Sequence, residues 1–467
     1  MTPPKPIQLR HLPSIDRLLK LQKGVPHRLA ARAARLLVER LREIGIGEGG
    51  FEAGDARLRE ASLAKGLREI REELNTPYHR RVLNATGILL HTGLGRAPLC
   101  DAAQAALQEV GGQALVEVDP VTGGRGRREH AVRDLLCALT GAEDALVVNN
   151  NAAATLLGLQ VMAEGREVPV SRGELVEIGG GFRMPEVMLQ AGCKLVEVGA
   201  TNRTRLADYA KALGPETGCL LKVHPSNYRI EGFHQEVPLS ELVALGQNKG
   251  VPVFEDLGSG LLLDEALPHD AREPSVQSSL RTGVDLCCFS GDKLLGSCQA
   301  GILVGSKEWV GKVAAHPLYR ALRQSKLELA ALEATLRVYL YGNPKEEIPV
   351  LRGIFEEVEE LASRAERLRE DLAKARALRE ARLSVVPSTA FVGSGSTPAR
   401  GIPSRAIRID GLKDPKEILR TWRCQHPSLW GRIEDGAIFL DLRSLAPRDD
   451  ETVVEVVLRD PSGAGEK

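Results

Sequence analysis

The stretch DLCCFSGDKLLG, residues 285–296, combines a short apolar run with a lysine, Lys293, just beyond the end of that run. An apolar run of this length without strict alternation is typical of a strand that is covered on both faces of a sheet. The end of a buried strand rarely needs an ammonium group. A lysine that forms a Schiff base does need such a desolvated position, because its neutral amine is the reactive form. These residues alone leave two interpretations open, a Schiff-base lysine and a lysine in a surface turn.

A second strand end carries an acidic side chain. The run VPVFEDLGSG, residues 251–260, delivers Asp256 from an apolar strand into a glycine-rich loop. The carboxyl ends of strands form the ligand crevice of an open α/β sheet. An aspartate there can keep the ring nitrogen of a pyridoxal cofactor protonated, so that the ring withdraws electrons. An aspartate that only caps a helix or shapes a loop is the alternative.

The third candidate is the strand-to-helix turn VVNNNAAAT, residues 147–155. The small residues Ala152 and Ala153, beside Asn151, let a phosphate approach the backbone N–H groups of a helix N-terminus, where the helix dipole favours an anion. A tight turn without a ligand explains the pattern equally well. By contrast, GLGRAP at residues 93–98 ends in proline and lacks a suitable strand and acidic residue, so we reject a dinucleotide-binding fingerprint.

The remaining pattern predicts an α/β chain of three domains. After Asn84, short apolar runs alternate with helical segments, which predicts a mainly parallel sheet wrapped by helices. Residues 326–381 are charged and helical, and later strand candidates suggest a small α+β domain. We therefore expect a helical domain at residues 1–75, a large domain at 76–325 and a long helix with a small domain at 326–467. The strand candidates are Ala145–Val148, Lys194–Val198, Cys219–Val223, Val251–Phe254, Val284–Phe289, Gly301–Val304, Ala406–Ile409 and Ala437–Leu442.

The neutral net charge of the 467-residue chain hides a basic N-terminal segment. Residues 1–42 contain ten Lys or Arg and two acidic residues, a local charge of +8, so the remainder carries −8. Apolar residues at helical spacing predict an amphipathic helix over His27–Ile44, which the glycine-rich stretch at residues 46–50 interrupts. Clustered cations of this kind are typical of a module that binds nucleic acid. A solvated helix surface is the alternative on charge alone.

Composition excludes several classes of protein. No apolar run approaches the roughly 20 residues of a membrane span, and Met1–Leu9 has no apolar core of a signal peptide, so we expect a cytoplasmic protein without membrane contact. The eight cysteines show neither CxxC spacing nor paired histidines, so we expect no metal site and no disulfide framework. Cys298, close to Lys293, is interpreted as a packing residue.

The order phosphate loop, aspartate, lysine resembles the fold-type I pyridoxal-phosphate enzymes. Longer stretches are similar to one family among them, the bacterial selenocysteine synthases or L-seryl-tRNA(Sec) selenium transferases. The pattern departs from that family at residues 296–299, where Ser-Cys replaces an expected Gly-Pro, and at Glu255, where an aspartate is usual. The similar stretches are LPSIDRLL (12–19), NATGILLHTGLGR (84–96), SRGELVEIGG (171–180), GATNRT (199–204), SNYRI (226–230), YRALR (319–323) and LAALEATL (329–336).

The resemblance implies a reaction and its participants. A pyridoxal phosphate enzyme of this family converts seryl-tRNA(Sec) to selenocysteinyl-tRNA(Sec): it eliminates the serine hydroxyl and adds selenium from selenophosphate to an aminoacrylyl intermediate. The N-terminal domain would bind the tRNA, and ten copies would form a ring of dimers. The implied catalytic residues are Lys293 and Asp292. The implied cofactor-binding residues are Lys293, Asp256, Asn151, Ala152, Ala153 and Ser290, and Arg96, Arg320 and Arg323 would bind selenophosphate.

Three other functions remain to be weighed. A cysteine desulfurase would use Cys424 as the sulfur acceptor, but a histidine usually precedes the lysine in that class, where this chain has Asp292. Ammonia-lyases that act on amino-sugar acids are closer, although they would not need the basic N-terminal module. A non-catalytic tRNA-binding protein would need that module but not Lys293.

Overall fold

The computed structural model describes residues 11–48, 50–51, 54–179, 181–268, 273–393 and 401–459. The chain divides into two units, Met1–Arg81 and Val82–Lys467. The predicted domain bounds at 75/76 and 325/326 differ from this division and stay predictions.

The first unit contains the helices α1 (Ile15–Lys20), α2 (His27–Glu48) and α3 (Glu60–Asn75). They bury one shared core, in which Leu18, Leu37 and Leu67 meet. The predicted amphipathic helix is confirmed, but its predicted end is wrong. The helix continues to Glu48, and Ile44 is 40% exposed although the pattern assigned it to the buried face. Helical hydrogen bonding therefore overrides the weak propensity of the glycines near the helix end.

The second unit has the following strands: β1 (Val82–Asn84), β2 (Asp144–Val148), β3 (Glu167–Ser171), β4 (Glu177–Ile178), β5 (Phe182–Arg183), β6 (Lys194–Val198), β7 (Leu220–Val223), β8 (Val253–Gly258), β9 (Leu286–Ser290), β10 (Gly301–Gly305), β11 (Arg382–Phe391), β12 (Gly401–Asp410), β13 (Ser428–Trp430), β14 (Arg432–Glu434) and β15 (Ala437–Asp441).

Its helices are α4 (Asp101–Glu109), α5 (His130–Thr140), α6 (Asn151–Ala163), α7 (Met184–Gln190), α8 (Leu206–Ala212), α9 (Leu239–Lys249), α10 (Val276–Arg281), α11 (Lys307–Ala315), α12 (Pro317–Leu322), α13 (Lys326–Tyr341), α14 (Pro344–Glu347), α15 (Pro349–Phe355), α16 (Val358–Leu372), α17 (Pro415–Cys424) and α18 (Asp450–Leu458).

The largest sheet has the strand order β2-β10-β9-β8-β7. Strands β7, β8 and β9 run parallel, whereas β10 is antiparallel to both β2 and β9. The α/β fold class and the mainly parallel sheet are confirmed, because β2, β7, β8 and β9 of this sheet point the same way and β10 runs against them. The predicted strand β6 lies outside it, because β6 pairs with β3.

Burial on both faces explains why these strands lack strict alternation. In β2, Ala145 and Val147 belong to one core, and Leu146 and Val148 belong to another on the opposite face. Successive side chains of a strand point to opposite faces, so both sets must be apolar. The sheet is therefore shielded from water on both faces, and residues at the carboxyl ends of β7, β8 and β9 lie at the edge of this buried region.

The C-terminal part of the unit forms a separate antiparallel sheet, β11-β12-β15-β14. Leu361 and Leu368 of α16 pack on it together with Ile407 and Ile438. In contrast, Leu329 and Leu332 of α13 belong to a core of the large sheet. The long helix α13 thus packs with the large sheet, and α16 covers the small one.

Gly301 is the residue at which the antiparallel strand meets the start of α6. A Cβ atom at this position would lie 2.0 Å from Asn150 O and 2.9 Å from Asn151 N. Asn150 caps α6, since its side chain accepts a hydrogen bond from Ala153 N at 2.9 Å. We expect Gly301→Ala to lower the free energy of unfolding by about 3 kcal/mol, because the backbone cannot move away. Urea unfolding measures this value.

The matched control for that change is Gly311→Ala in α11. A Cβ atom there would meet nothing within 4 Å. Alanine replaces glycine in a helix with a gain of up to about 1 kcal/mol. Equal effects of the two variants would contradict the steric argument.

Candidate active site

Lys293 lies in the turn after β9 and is only 5% exposed. Backbone hydrogen bonds hold this turn: among them, Leu294 N donates to Ser259 O at 3.0 Å, and Ser297 N donates to Gly291 O at 2.9 Å. Burial lowers the pKa of the Lys293 ammonium, and the carboxylate of Asp256 opposes this shift. The structure therefore supplies the desolvated, more readily neutral amine that the sequence pattern predicted.

Asp256 lies at a bulge near the end of β8. Asp256 pairs with Cys288 and Gly258 pairs with Phe289, so Leu257 is an extra residue in β8. Bulges commonly redirect a strand beside a functional site. The carboxylate accepts hydrogen bonds from Asn151 Nδ2 at 2.8 Å and from Thr155 Oγ1 at 3.2 Å.

Burial raises the pKa of the Asp256 carboxyl group, while these hydrogen bonds and the charge of Lys293 lower it. A cationic partner would relieve the cost of a buried carboxylate. The protonated ring nitrogen of pyridoxal phosphate is such a partner. Asp256 therefore fits the role that its place in the sequence suggested.

The N-terminus of α6 forms the next wall of the site. Asn150 caps the helix and Asn151 is its first residue. Within the described residues, the buried Asn151 Oδ1 has no hydrogen-bond partner. Small side chains, an uncompensated polar atom and the positive end of a helix dipole together fit an anionic ligand such as a phosphate group.

A cavity of about 210 Å³ joins these elements, and we call it the Lys293 cavity. It brings together most of the predicted site residues: Arg96, Asn151, Ala152, Asp256, Ser290 and Lys293. Ala153 does not line this cavity. It borders a neighbouring apolar groove together with Ala152, Leu156 and Phe182. The residues present fit pyridoxal phosphate, because an amine, a carboxylate and an anion-binding helix end face one space.

Arg96 reaches the cavity from a strained loop. Its backbone has φ 62°, in the left-handed region, directly after Gly95 with φ 97°. Its guanidinium forms an ion pair with Asp292, with Nη1 at 2.9 Å from Oδ2. Strained non-glycine residues persist where surrounding contacts hold them, often at functional sites. Arg96 and Asp292, to which the family resemblance assigned separate roles, therefore contact each other directly.

The other two predicted arginines lie elsewhere. Arg320 is exposed on α12. Arg323 follows that helix, and its Nη1 lies 3.6 Å from Glu117 Oε1. Neither lines the Lys293 cavity in the described part of the chain. Arg320 and Arg323 belong to a stretch that resembles the family, but the structure does not place them in the cavity that Arg96 lines.

Three polar residues of the cavity were not singled out from the sequence: His224, Ser226 and Gln299. His224 follows β7, the neighbour of β8, and its backbone N donates to Asp256 O at 2.9 Å. Its Nε2 lies 3.3 Å from Glu273 Oε1. The rule that strand ends meet at one edge of the sheet could have identified His224, because it directly follows an apolar run.

Other predicted features concern the whole chain. Among the described residues, no group of three or more His, Cys, Asp or Glu side chains could hold a metal ion. None of the helices that the structure describes is long and apolar enough to cross a membrane. The thiol of Cys298 contacts Glu328 O at 3.3 Å, and Cys424 is exposed at the end of α17, away from the cavity lining.

The sequence of the chain matches a known protein family. The model of the SelA family, L-seryl-tRNA selenium transferase, matches residues 82–446. The chain is 49% identical over 408 residues to the L-seryl-tRNA(Sec) selenium transferase of Moorella thermoacetica, covering 85% of this chain and 86% of that protein. It is 44% identical over 465 residues to the enzyme of that name from Haemophilus influenzae, covering 96% and 98%.

A solved structure gives the fold independently. D-Glucosaminate-6-phosphate ammonia-lyase superposes with a TM-score of 0.57 at 18% identity, over 83% of this chain and 96% of that chain. At this identity the likeness concerns the fold alone. The family match confirms the resemblance that the sequence stretches indicated. The chain therefore belongs to the SelA family of L-seryl-tRNA selenium transferases, which are pyridoxal-phosphate-dependent enzymes of fold type I.

Proposed function

We propose that this enzyme converts seryl-tRNA(Sec) to selenocysteinyl-tRNA(Sec) with selenophosphate as the selenium donor. The observation that carries the proposal is the meeting of Lys293, Asp256 and the α6 N-terminus in one buried cavity, in a chain that matches this family over most of its length. Removal of the α-proton of an amino acid needs a base and an electron-withdrawing group close together in a desolvated site.

The cavity residues have distinct roles in this proposal. Lys293 would hold the cofactor covalently through Nζ, and Asp256 would pair with the ring nitrogen. Asn151, Ala152 and Ser290, which line the cavity, would hold the phosphate group, and Ala153 is proposed on the helix-end pattern alone. Bound in this way, the cofactor withdraws electrons from the α-carbon of the seryl group. Lys293 Nζ, once the amino group of the substrate has taken its place, would be the base that removes the α-proton.

Selenophosphate is a small polyanion, and arginine forks match phosphate oxygens. Arg96 is the strongest candidate ligand because it lines the cavity. Asp292 orients the guanidinium through the 2.9 Å ion pair and assists proton handling. Arg320 and Arg323 are proposed as further ligands on the family pattern alone.

The first unit is proposed to bind the tRNA. Four arginines of α2, at positions 28, 32, 35 and 42, are exposed. We expect replacement of all four by glutamine to weaken tRNA binding and to flatten its salt dependence, by about 0.9 in slope for each phosphate that the protein no longer neutralises. Filter binding over a range of salt concentrations measures this slope.

The control for that prediction removes four exposed arginines from the second unit: Arg127, Arg172, Arg382 and Arg420. This set has the same charge change. An unaltered slope for the α2 variant, or an equal change for both, would contradict the assignment. Cofactor absorbance should be the same in both proteins.

We also propose a cytoplasmic enzyme that assembles into a decamer, a pentamer of dimers. Exposed apolar side chains support an assembly: Leu115, Val118 and Val121 are 69%, 48% and 92% exposed. Monomeric proteins rarely expose large contiguous apolar patches, so such a segment fits a subunit interface.

Single-turnover conversion of seryl-tRNA(Sec) with selenophosphate tests the function. The expected product is selenocysteinyl-tRNA(Sec), formed only when both substrates are present. Seryl-tRNA(Ser) and free serine are the matched substrate controls. Turnover of free serine without any tRNA dependence would favour a small-molecule lyase instead. Absence of any cofactor absorbance would favour a binding protein.

A further inference from the structure

His224 lines both the Lys293 cavity and a second cavity of about 430 Å³. In the second cavity it lies beside Glu273, and the two side chains are in contact, with Nε2 at 3.3 Å from Oε1. The carboxylate side chain of Glu273 is only 1% exposed. A buried carboxylate close to an imidazole favours the charged form of the ring.

The proposed reaction has a step that no residue has yet been given. Hydroxide is a poor leaving group, so the serine hydroxyl must receive a proton as its bond to Cβ breaks. In a concerted elimination Lys293 cannot supply this proton, because it is taking the α-proton at the same moment. The carboxylate of Asp292 is held by Arg96 at 2.9 Å and does not line the cavity.

We propose that His224, which lines the Lys293 cavity and lies against Glu273, is the general acid that protonates the departing serine hydroxyl. This inference rests on the function proposed above. Nε2 lies 3.3 Å from Glu273 Oε1, and we assign the donated proton to Nδ1. Glu273 touches no substrate atom and is a positioning residue.

The step balances as follows. The α-proton passes to Lys293 Nζ, and the electron pair of the Cα–H bond forms the second Cα–Cβ bond. The Cβ–O bond breaks with its electrons on oxygen, and that oxygen takes the proton of His224 Nδ1 and leaves as water. His224 regains a proton from solvent in the second cavity.

The charges around His224 favour its protonated form. Burial lowers the pKa of the imidazole, but the hydrogen bond and charge of Glu273 and the charge of Glu255 outweigh burial and the opposing charge of Lys222, so the pKa is raised. In the Lys293 cavity, Asp256 and Lys293 face the same ring. Fixed neighbours of His224 therefore favour its protonated form.

Leaving-group dependence tests this proposal. We expect His224→Gln to lower conversion of seryl-tRNA(Sec) by about 100-fold or more. The same variant should lose less than about 5-fold with 3-chloroalanyl-tRNA(Sec), because chloride departs without a proton. Exchange of the α-hydrogen with solvent deuterium should persist, since Lys293 is intact. Equal losses with both leaving groups, or no loss with serine, would overturn the proposal.

A second measurement does not depend on turnover. Diethyl pyrocarbonate modifies neutral imidazole only, and peptide mass spectrometry identifies the modified histidine. In the full wild-type chain, modification of His224 should require a higher pH than that of a free histidine. In Glu273→Gln the midpoint should fall. An unshifted midpoint would overturn the role of Glu273.

His234→Gln is the matched control. His234 lines the second cavity but not the Lys293 cavity. Its replacement should leave both leaving-group rates and the modification of His224 unchanged. If the wild-type chain fails to convert seryl-tRNA(Sec), the proposed function fails. If the wild type is active and His224→Gln shows no preference for chloride, only this inference fails.

Discussion

Replacement of Lys293 by alanine is expected to reduce conversion of seryl-tRNA(Sec) by about 10⁴-fold or more, because both covalent attachment of the cofactor and removal of the α-proton depend on this amine. The amine is buried and its pKa is lowered by that burial. Lys293→Arg should fail equally, since a guanidinium keeps the charge but is not a nucleophile. Single-turnover assays and visible absorbance of the purified protein measure the two losses.

The control for Lys293 is Lys312→Ala, which removes an exposed lysine paired with Glu308. It should have normal activity and normal cofactor absorbance. Borohydride reduction of the wild type, followed by peptide mapping, should place the label on Lys293. A label on another lysine would overturn the assignment.

Replacement of Asp256 by asparagine is the change with the second largest expected effect. Without the carboxylate, the ring nitrogen loses its anionic partner, and we expect activity to fall by about 10³-fold, the size typical for removal of one preorganised electrostatic interaction. Covalent attachment to Lys293 should persist, because asparagine can still accept the hydrogen bond from Asn151 Nδ2. Activity and borohydride labelling separate the two effects.

In the cofactor-free protein, Asp256→Asn should raise the free energy of unfolding relative to wild type, although it lowers activity in the enzyme with cofactor. Burial raises the pKa of Asp256, so its contribution to stability is present below the ordinary aspartate pKa and is lost as the pH rises through the raised value. The free energy of unfolding of Asp256→Asn relative to wild type should therefore increase with pH over that window. Urea unfolding at several pH values measures it.

Asp264→Asn is the control for Asp256, because Asp264 forms an exposed ion pair with Arg281 at 2.6 Å. Exposed pairs contribute little to stability, and activity should not change. A cofactor-free Asp256→Asn protein that becomes less stable than wild type as the pH rises would contradict the burial argument.

Much of the fold was predictable because burial on two faces leaves a clear pattern. The runs around β2, β8, β9 and β10 are apolar throughout, and each prediction fell within a few residues of the observed strand. Strand direction was not predictable in the same way. An antiparallel strand such as β10, covered on both faces, has the same composition as a parallel one, so the sequence did not reveal that this strand runs against the others of a mainly parallel sheet.

Some residues of the candidate site could also be predicted from the sequence, and others could not. Lys293, Asp256 and Asn151 each follow an apolar run, so their place at one edge of the sheet could be inferred. Arg96 came from the family resemblance, and its ion pair with Asp292 was not inferred. Gln299 and Glu273 carry no local signal, because a polar residue in a loop has no pattern that reports which cavity it faces.

By itself, the sequence determined the family, the chemical class of the site and the residues at the strand ends, because strand-length apolar runs and their terminal side chains are local properties. Only the tertiary structure decided which side chains share a cavity. It placed His224 between two cavities and against Glu273, and it left Arg320 and Arg323 outside the Lys293 cavity. The physical reason is that contacts between residues far apart in the chain depend on how loops cross the sheet edge, and no periodicity encodes that path.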